Sequence, residues 1–104
     1  MSCKCKITVL ERKYFSDLAE KYLKDPGVGK CPVFSEGQII IIDPKIGFDM
    51  PKGFCPQAWN DIKDYVYKTL SGETVIPDWS KDDNALIVCC ADGVRPVIFK
   101  VERI

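Results

Sequence analysis

Residues 3 to 10 alternate strictly between two faces, with Cys3, Cys5, Ile7 and Val9 on one and Lys4, Lys6 and Thr8 on the other. This pattern predicts a half-buried first strand. Beyond it, Ser16 is placed to cap a short helix whose stripe is Leu18, Ala19, Tyr22 and Leu23, ending before Asp25-Pro26-Gly27. A turn-rich stretch follows to Pro32. The run Ile39-Ile40-Ile41-Ile42 is β-branched and apolar on both faces, as suits a central strand or one whose second face a subunit covers.

An irregular segment rich in Gly and Pro, 44–54, leads to a second helix. Pro56 is favoured at the first helical position, and Ala58, Trp59, Ile62, Tyr65, Val66 and Leu70 recur at helical spacing up to Ser71-Gly72. After a polar loop, 73–84, which contains Pro77 and Trp79, residues 85–91 and 94–104 read as two strands joined at Asp92-Gly93. Asp-Gly favours a two-residue hairpin turn. The order is β-α-β-α-β-β, a small α+β sandwich in which helices cover one face of a mainly antiparallel sheet, with residues 1–104 forming a single domain.

Composition narrows the function. The 15 basic and 15 acidic residues cancel and are interspersed, so neither nucleic acid nor an anionic membrane finds an electrostatic footprint. The chain opens without the apolar stretch of a signal peptide, and no run approaches the ~18 apolar residues of a membrane span, so a cytoplasmic location is expected. In that setting six cysteines point to metal ligation or redox work rather than to disulfides. Histidine is absent, which removes His-ligated zinc hydrolysis and Ser-His or Cys-His nucleophilic machinery. A soft metal here relies on sulfur.

Four of the cysteines fall at loop and element ends. Cys55 lands at the N-cap of the second helix, where free amides and the helix dipole favour a thiolate, although N-caps usually carry Ser, Thr, Asp or Asn. The plain alternative is a small apolar residue beneath Trp59. Cys31 precedes Pro32 in a loop, as ligand cysteines of iron–sulfur proteins often do. With a two-residue turn, Cys90 would face Arg95 and Cys89 would face Pro96, which has no N–H for the ladder. Arg95 could then steady a thiolate at Cys90, whose face it shares with Leu86, Val88, Val97, Phe99 and Val101. Cys89 shares the other face with Ile87 and Ile98, and joins the site only if the strand bulges.

The remaining features have simpler readings. Cys3 and Cys5 are explained by strand alternation. Trp59 and Tyr65 belong to the helix stripe, while Trp79 suits a pocket wall or a subunit contact. Asp61, Asp64, Asp82 and Asp83 read as solvated charges. Gly27-Val28-Gly29-Lys30 is a poor phosphate loop, with Lys24 where the first glycine belongs and Cys31 in place of Ser or Thr.

Several motifs go together: Lys6-Ile7-Thr8-Val9-Leu10, Asp17-Leu18-Ala19 with Tyr22-Leu23, Cys31-Pro32-x-Phe34 with Gly37-Gln38, Pro51-x-Gly53-Phe54-Cys55-Pro56-x-Ala58-Trp59, and Cys89-Cys90-x-Asp92-Gly93-x-Arg95-Pro96-Val97-Ile98-Phe99-Lys100. Over nearly the whole chain they resemble a family of short prokaryotic proteins without an assigned activity. The resemblance implies that Cys31, Cys55, Cys89, Cys90 and Arg95 are family positions, and that Cys3 and Cys5 are not.

Three functional expectations follow. The leading one is a thiolate site of Cys31, Cys55 and Cys90, with Cys89 as a conditional fourth ligand and Arg95 beside it, holding an iron–sulfur cluster in preference to zinc. The spacing matches neither ferredoxin runs nor a zinc-finger pair, so it does not name the metal. The second is a metal-free thiol enzyme or sulfur carrier, with Cys55 as nucleophile and Cys90 or Cys31 resolving it. The third is an interaction module that buries Ile39 to Ile42, Ile87 and Ile98 in a homo-oligomer. A redox partner protein is expected for the first; neither nucleic acid nor membrane is expected as a partner for any.

Overall fold

The alternation at the start of the chain becomes β1 (Cys5–Arg12), whose Cys5, Ile7 and Val9 are fully buried. The computed structural model describes residues 3–104. β1 is central, pairing antiparallel with β2 (Ile39–Ile42) on one side and with β4 (Val97–Arg103) on the other. β3 (Ala85–Cys89) pairs antiparallel with the far side of β4, so the strand order is β2-β1-β4-β3. The protein is α+β with an antiparallel sheet of four strands. β2 is therefore an edge strand, not a central one. Its two-sided apolarity leaves Ile39 and Ile41 exposed on the sheet's open face.

One helix covers the core face. α2 (Pro56–Leu70) starts with proline at its first turn and Cys55 at the N-cap, and it buries Ala58, Trp59, Ile62, Val66, Thr69 and Leu70. That stripe is what the spacing predicts, with Thr69 added and Tyr65 only half-buried. α1 (Ser16–Tyr22) behaves differently. Phe15 takes its cap position without a side-chain hydrogen bond, so Ser16 is its first residue rather than its cap. Ala19 is buried, whereas Leu18 and Tyr22 are exposed, and α1 makes no close backbone approach to any strand or to α2. Among the described residues no helix is long and apolar enough to cross a membrane.

The core is built so that it draws loops together. Phe99 of β4 packs against Phe34 and Phe54, with ring centroids 5.2 and 5.7 Å away, and Phe54 also meets Phe34 at 4.9 Å and Trp59 at 5.8 Å. Burying such rings contributes roughly 1.5–3 kcal/mol each, enough to fix the loops that carry them. Phe34 lies three residues after Cys31, and Phe54 immediately precedes Cys55. The aromatic cluster therefore fastens both cysteine loops beside β4.

The β3–β4 connection is longer than the Asp-Gly dipeptide predicts. Cys89 pairs with Ile98, and the Cys90 amide donates to the Val97 carbonyl at 3.2 Å, leaving residues 91–96 outside the ladder. The Asp92 carboxylate causes this: its Oδ1 accepts from the amides of Val94 (2.9 Å) and Arg95 (3.0 Å), closing an Asx-type turn that outcompetes the two-residue hairpin. Cys90 thus faces Val97 rather than Arg95, and Cys89 faces Ile98 rather than Pro96. Pro96 falls outside the ladder, so it forces no break there. Because the slip is by two residues, the faces are kept. Cys90 stays with Leu86, Val88 and Phe99 on the core side, and Cys89 stays with Ile87 on the open side.

Candidate functional site

Three of the four expected cysteines border one cavity. Cys31, Cys55 and Cys90 are each half-buried and together line one cavity of about 130 Å³ with Val33, Phe34, Gln57, Ala58, Asp92, Arg95 and Val97. They come from the loop before β2, the cap of α2 and the end of β3, segments that only the fold brings together. Arg95 is the cation among the lining side chains. Cys89 is exposed and borders a different hollow, with Asp61, Tyr65 and Ile87, because no bulge turns it to the core face. Cys3 and Cys5 also lie elsewhere. The Cys3 thiol donates to the Leu70 carbonyl at 3.0 Å, and Cys5 is sealed in the core, where desolvation pushes its pKa up to about 12.

Each cavity cysteine has its own anchor. The backbone carbonyl of Cys31 accepts from Arg12 Nη1 at 2.9 Å, and Arg12 Nε donates to Glu36 at 2.5 Å in the same loop. Arg12 reaches that side through a β-bulge. Between Val9 and Glu11 the β1–β4 register shifts, so Glu11 pairs with Ile98 and Arg12 pairs with the buried Val97. Without the bulge, plain alternation would turn Glu11 toward the core and Arg12 away from it. A bulge cannot be read from alternation that stops at Leu10, and sequence reasoning missed Arg12.

At Cys90 the anchors are a backbone amide and a carboxylate. The Val97 amide approaches Cys90 Sγ at 3.4 Å, while the Cys90 amide donates to Val97 O, so one of the usual pair of ladder bonds is replaced by N–H···S. Just beyond, Asp61 Oδ2 of α2 accepts the Ala91 amide at 2.8 Å. Asp61 is thus a structural anchor rather than a solvated charge. It joins residues thirty apart in sequence, and nothing local signals that pairing. Arg95 is held on both flanks by backbone bonds from Phe15 N to Val94 O (2.8 Å) and from Lys13 N to Pro96 O (2.9 Å). Its side chain lies with Nε 3.7 Å from Asp92 Oδ2. Amide bonds from Arg95 and Val94, with the nearby guanidinium, hold the Asp92 carboxyl below its ordinary pKa, so it is charged at neutral pH.

At Cys55 the sulfur makes no capping hydrogen bond. The first α2 amide with a backbone acceptor is that of Trp59, to Cys55 O at 2.9 Å. Pro56 has no N–H, and the amides of Gln57 and Ala58, two cavity residues, take no acceptor among the described residues. The site therefore combines three cysteines, an N–H···S bond at Cys90 and the Arg95 side chain.

Among the described residues no group of three or more Cys, Asp or Glu side chains is arranged to hold a metal ion. Family models, curated proteins and solved structures yield no match to this chain. The functional reading therefore rests on the cavity's own chemistry.

Proposed function

We propose that Cys31, Cys55 and Cys90 are the protein ligands of an iron–sulfur cluster, with Arg95 beside it, and that the protein exchanges electrons or binds a small molecule at that centre. The observation that carries the reading is that three cysteines from distant segments line one cavity. Three cysteines without histidine suit iron–sulfur or zinc chemistry, and Cys31-Pro32 and Cys55-Pro56 resemble the Cys-Pro pairs of iron–sulfur ligand loops. The Val97 amide, 3.4 Å from Cys90 Sγ, is the kind of donor by which a protein tunes the charge on a ligand sulfur.

The test is anaerobic reconstitution with iron and sulfide, followed by metal and sulfide analysis and visible absorption. Wild type and Cys89→Ser are expected to take up a coloured cluster. Cys31→Ser, Cys55→Ser and Cys90→Ser should each lose most of it. A wild-type protein that stays colourless and metal-free sinks the proposal.

A second reading draws on the N–H···S bond at Cys90. In it the cavity exchanges thiols with a partner's disulfide. Cys90 attacks one sulfur, a partner thiol leaves, and a second cavity cysteine displaces the other partner thiol, leaving an intramolecular disulfide and two partner thiols. This differs from an attack led by Cys55, whose sulfur lacks a hydrogen-bond donor. Timed alkylation with mass readout separates them: Cys90 reacting no faster than the exposed Cys89 would remove this reading.

A further inference from the structure

The outer edge of β3 is open. On its inner side the Cys90 amide donates to Val97 O and the Arg103 amide to Asn84 O, so Asn84, Leu86, Val88 and Cys90 turn their backbone groups toward β4. Alternation turns those of Ala85, Ile87, Cys89 and Ala91 outward. Both ends of this outward row are closed, the Ala85 amide by Asp82 O at 3.0 Å and the Ala91 amide by Asp61 Oδ2 at 2.8 Å. Between them the N–H and C=O groups of Ile87 and Cys89 have no partner among the described residues. A hollow of about 380 Å³ lies along this edge, lined by Ile87 and Cys89, by Asp61 and Tyr65 of α2, and by Ile76.

We infer that this edge takes a basic, extended segment of a partner protein as a fifth strand beside β3, with a lysine or arginine at Asp61 and apolar side chains at Tyr65 and Ile76. Backbone groups left free on an edge strand are a template for an added chain, and a groove beside the edge supplies the side-chain contacts that select it. The strand itself, Ala-Leu-Ile-Val-Cys, carries neither a charge nor a proline to guard that edge. Charge chooses the occupant. Residues 61–92, which supply the helix, loop and strand around the hollow, carry seven acidic and three basic side chains, although the whole chain is neutral. A second copy would set that acidic stretch and Asp61 against themselves, whereas a basic segment complements them. The edge lies apart from Cys31, Cys55 and Cys90, so the inference stands independently of the cluster reading.

The probe is the peptide Lys-Thr-Val-Thr-Val-Thr-Lys, blocked at both ends, whose lysines and valines share one face and whose pattern is the same from either end. At low ionic strength and saturating peptide, exchange at the Ile87 and Cys89 amides should slow by at least about five-fold, while Leu86 and Val88, already bonded to β4, change little. Methylating alternate backbone nitrogens of the peptide should abolish binding in one phase and spare it in the other, because a strand bonds its neighbour through every second residue. Replacing both lysines by glutamate should weaken binding by at least about ten-fold. Asp61→Asn keeps an acceptor for the Ala91 amide and should weaken the lysine peptide by about three-fold or more, leaving a peptide with threonine in place of lysine unaffected. No binding of the lysine peptide, indifference to both methylation patterns, or equal affinity for the lysine and glutamate peptides overturns the inference. Protection of the Ile87 and Cys89 amides without peptide, together with a doubled mass in solution, assigns the edge to a second copy and overturns it as well.

Discussion

Cys5 and the cavity cysteines show how differently one side chain behaves in two settings. Cys5 has no exposed surface, and the loss of hydration, opposed only partly by a backbone hydrogen bond from Glu102, raises its pKa from 9.0 to about 12. It is held as a neutral thiol, a small apolar residue of the core. Because the folded pKa lies above the unfolded one, the unfolded chain releases the proton first as pH rises. The stability this thiol contributes is complete below pH 9 and is lost progressively toward pH 12. In that window one proton corresponds to a slope of about 1.4 kcal/mol per pH unit. Denaturant unfolding from pH 8.5 to 11 should show a shallower alkaline loss in Cys5→Ala than in wild type, against a neutral-pH cost of about 1 kcal/mol for the lost packing. Parallel profiles would mean that the buried thiol is not what titrates.

At the scale of elements, the site is set by how α2, β1 and the β3–β4 connection are joined. The carboxylate of Asp61 bridges α2 to the residue after Cys90, so Asp61→Ala should free the Ala91 amide at a cost of about 1 kcal/mol, less than the roughly 1.5–3 kcal/mol of a buried bond to a charged acceptor because the pair is exposed. Hydrogen exchange at Ala91 should accelerate by about five-fold or more, while amides within α2 change little. Unchanged exchange at Ala91 would show that the connection holds itself. These links mark the boundary of what the sequence reveals. Pro56, Cys55 and the spacing from Ala58 to Leu70 announce α2 because cap and stripe are local features. The core face of Cys90 is also legible, since parity survives a two-residue slip. The slip itself is not, because the Asp92 side chain decides between two turns that the dipeptide alone does not distinguish. Arg12 and Asp61 act across nineteen and thirty residues, through a bulge and a helix-to-loop contact that no periodicity encodes.

The whole molecule ties three separated stretches to one cavity, and this gives the cluster reading a thermodynamic signature independent of colour. A ligand that binds only the folded chain adds stability by mass action, about 2.7 kcal/mol at a hundred-fold excess over its dissociation constant. Cys31, Cys55 and Cys90 are half-buried at the edge of the core, unlike Cys5 within it, so replacing one of them removes little packing. In the metal-free protein Cys31→Ser, Cys55→Ser and Cys90→Ser should therefore unfold within about 1 kcal/mol of wild type. After reconstitution wild type and Cys89→Ser should resist denaturant by at least 2 kcal/mol more than before, and the three variants should gain almost nothing. The two halves of this cycle separate packing from ligation. If any of the three costs more than about 2 kcal/mol without metal, that cysteine serves the core. If loading stabilises Cys90→Ser as much as wild type, the sulfur on β3 is not a ligand, and the convergence at the aromatic cluster of Phe34, Phe54 and Phe99 is a consequence of packing alone.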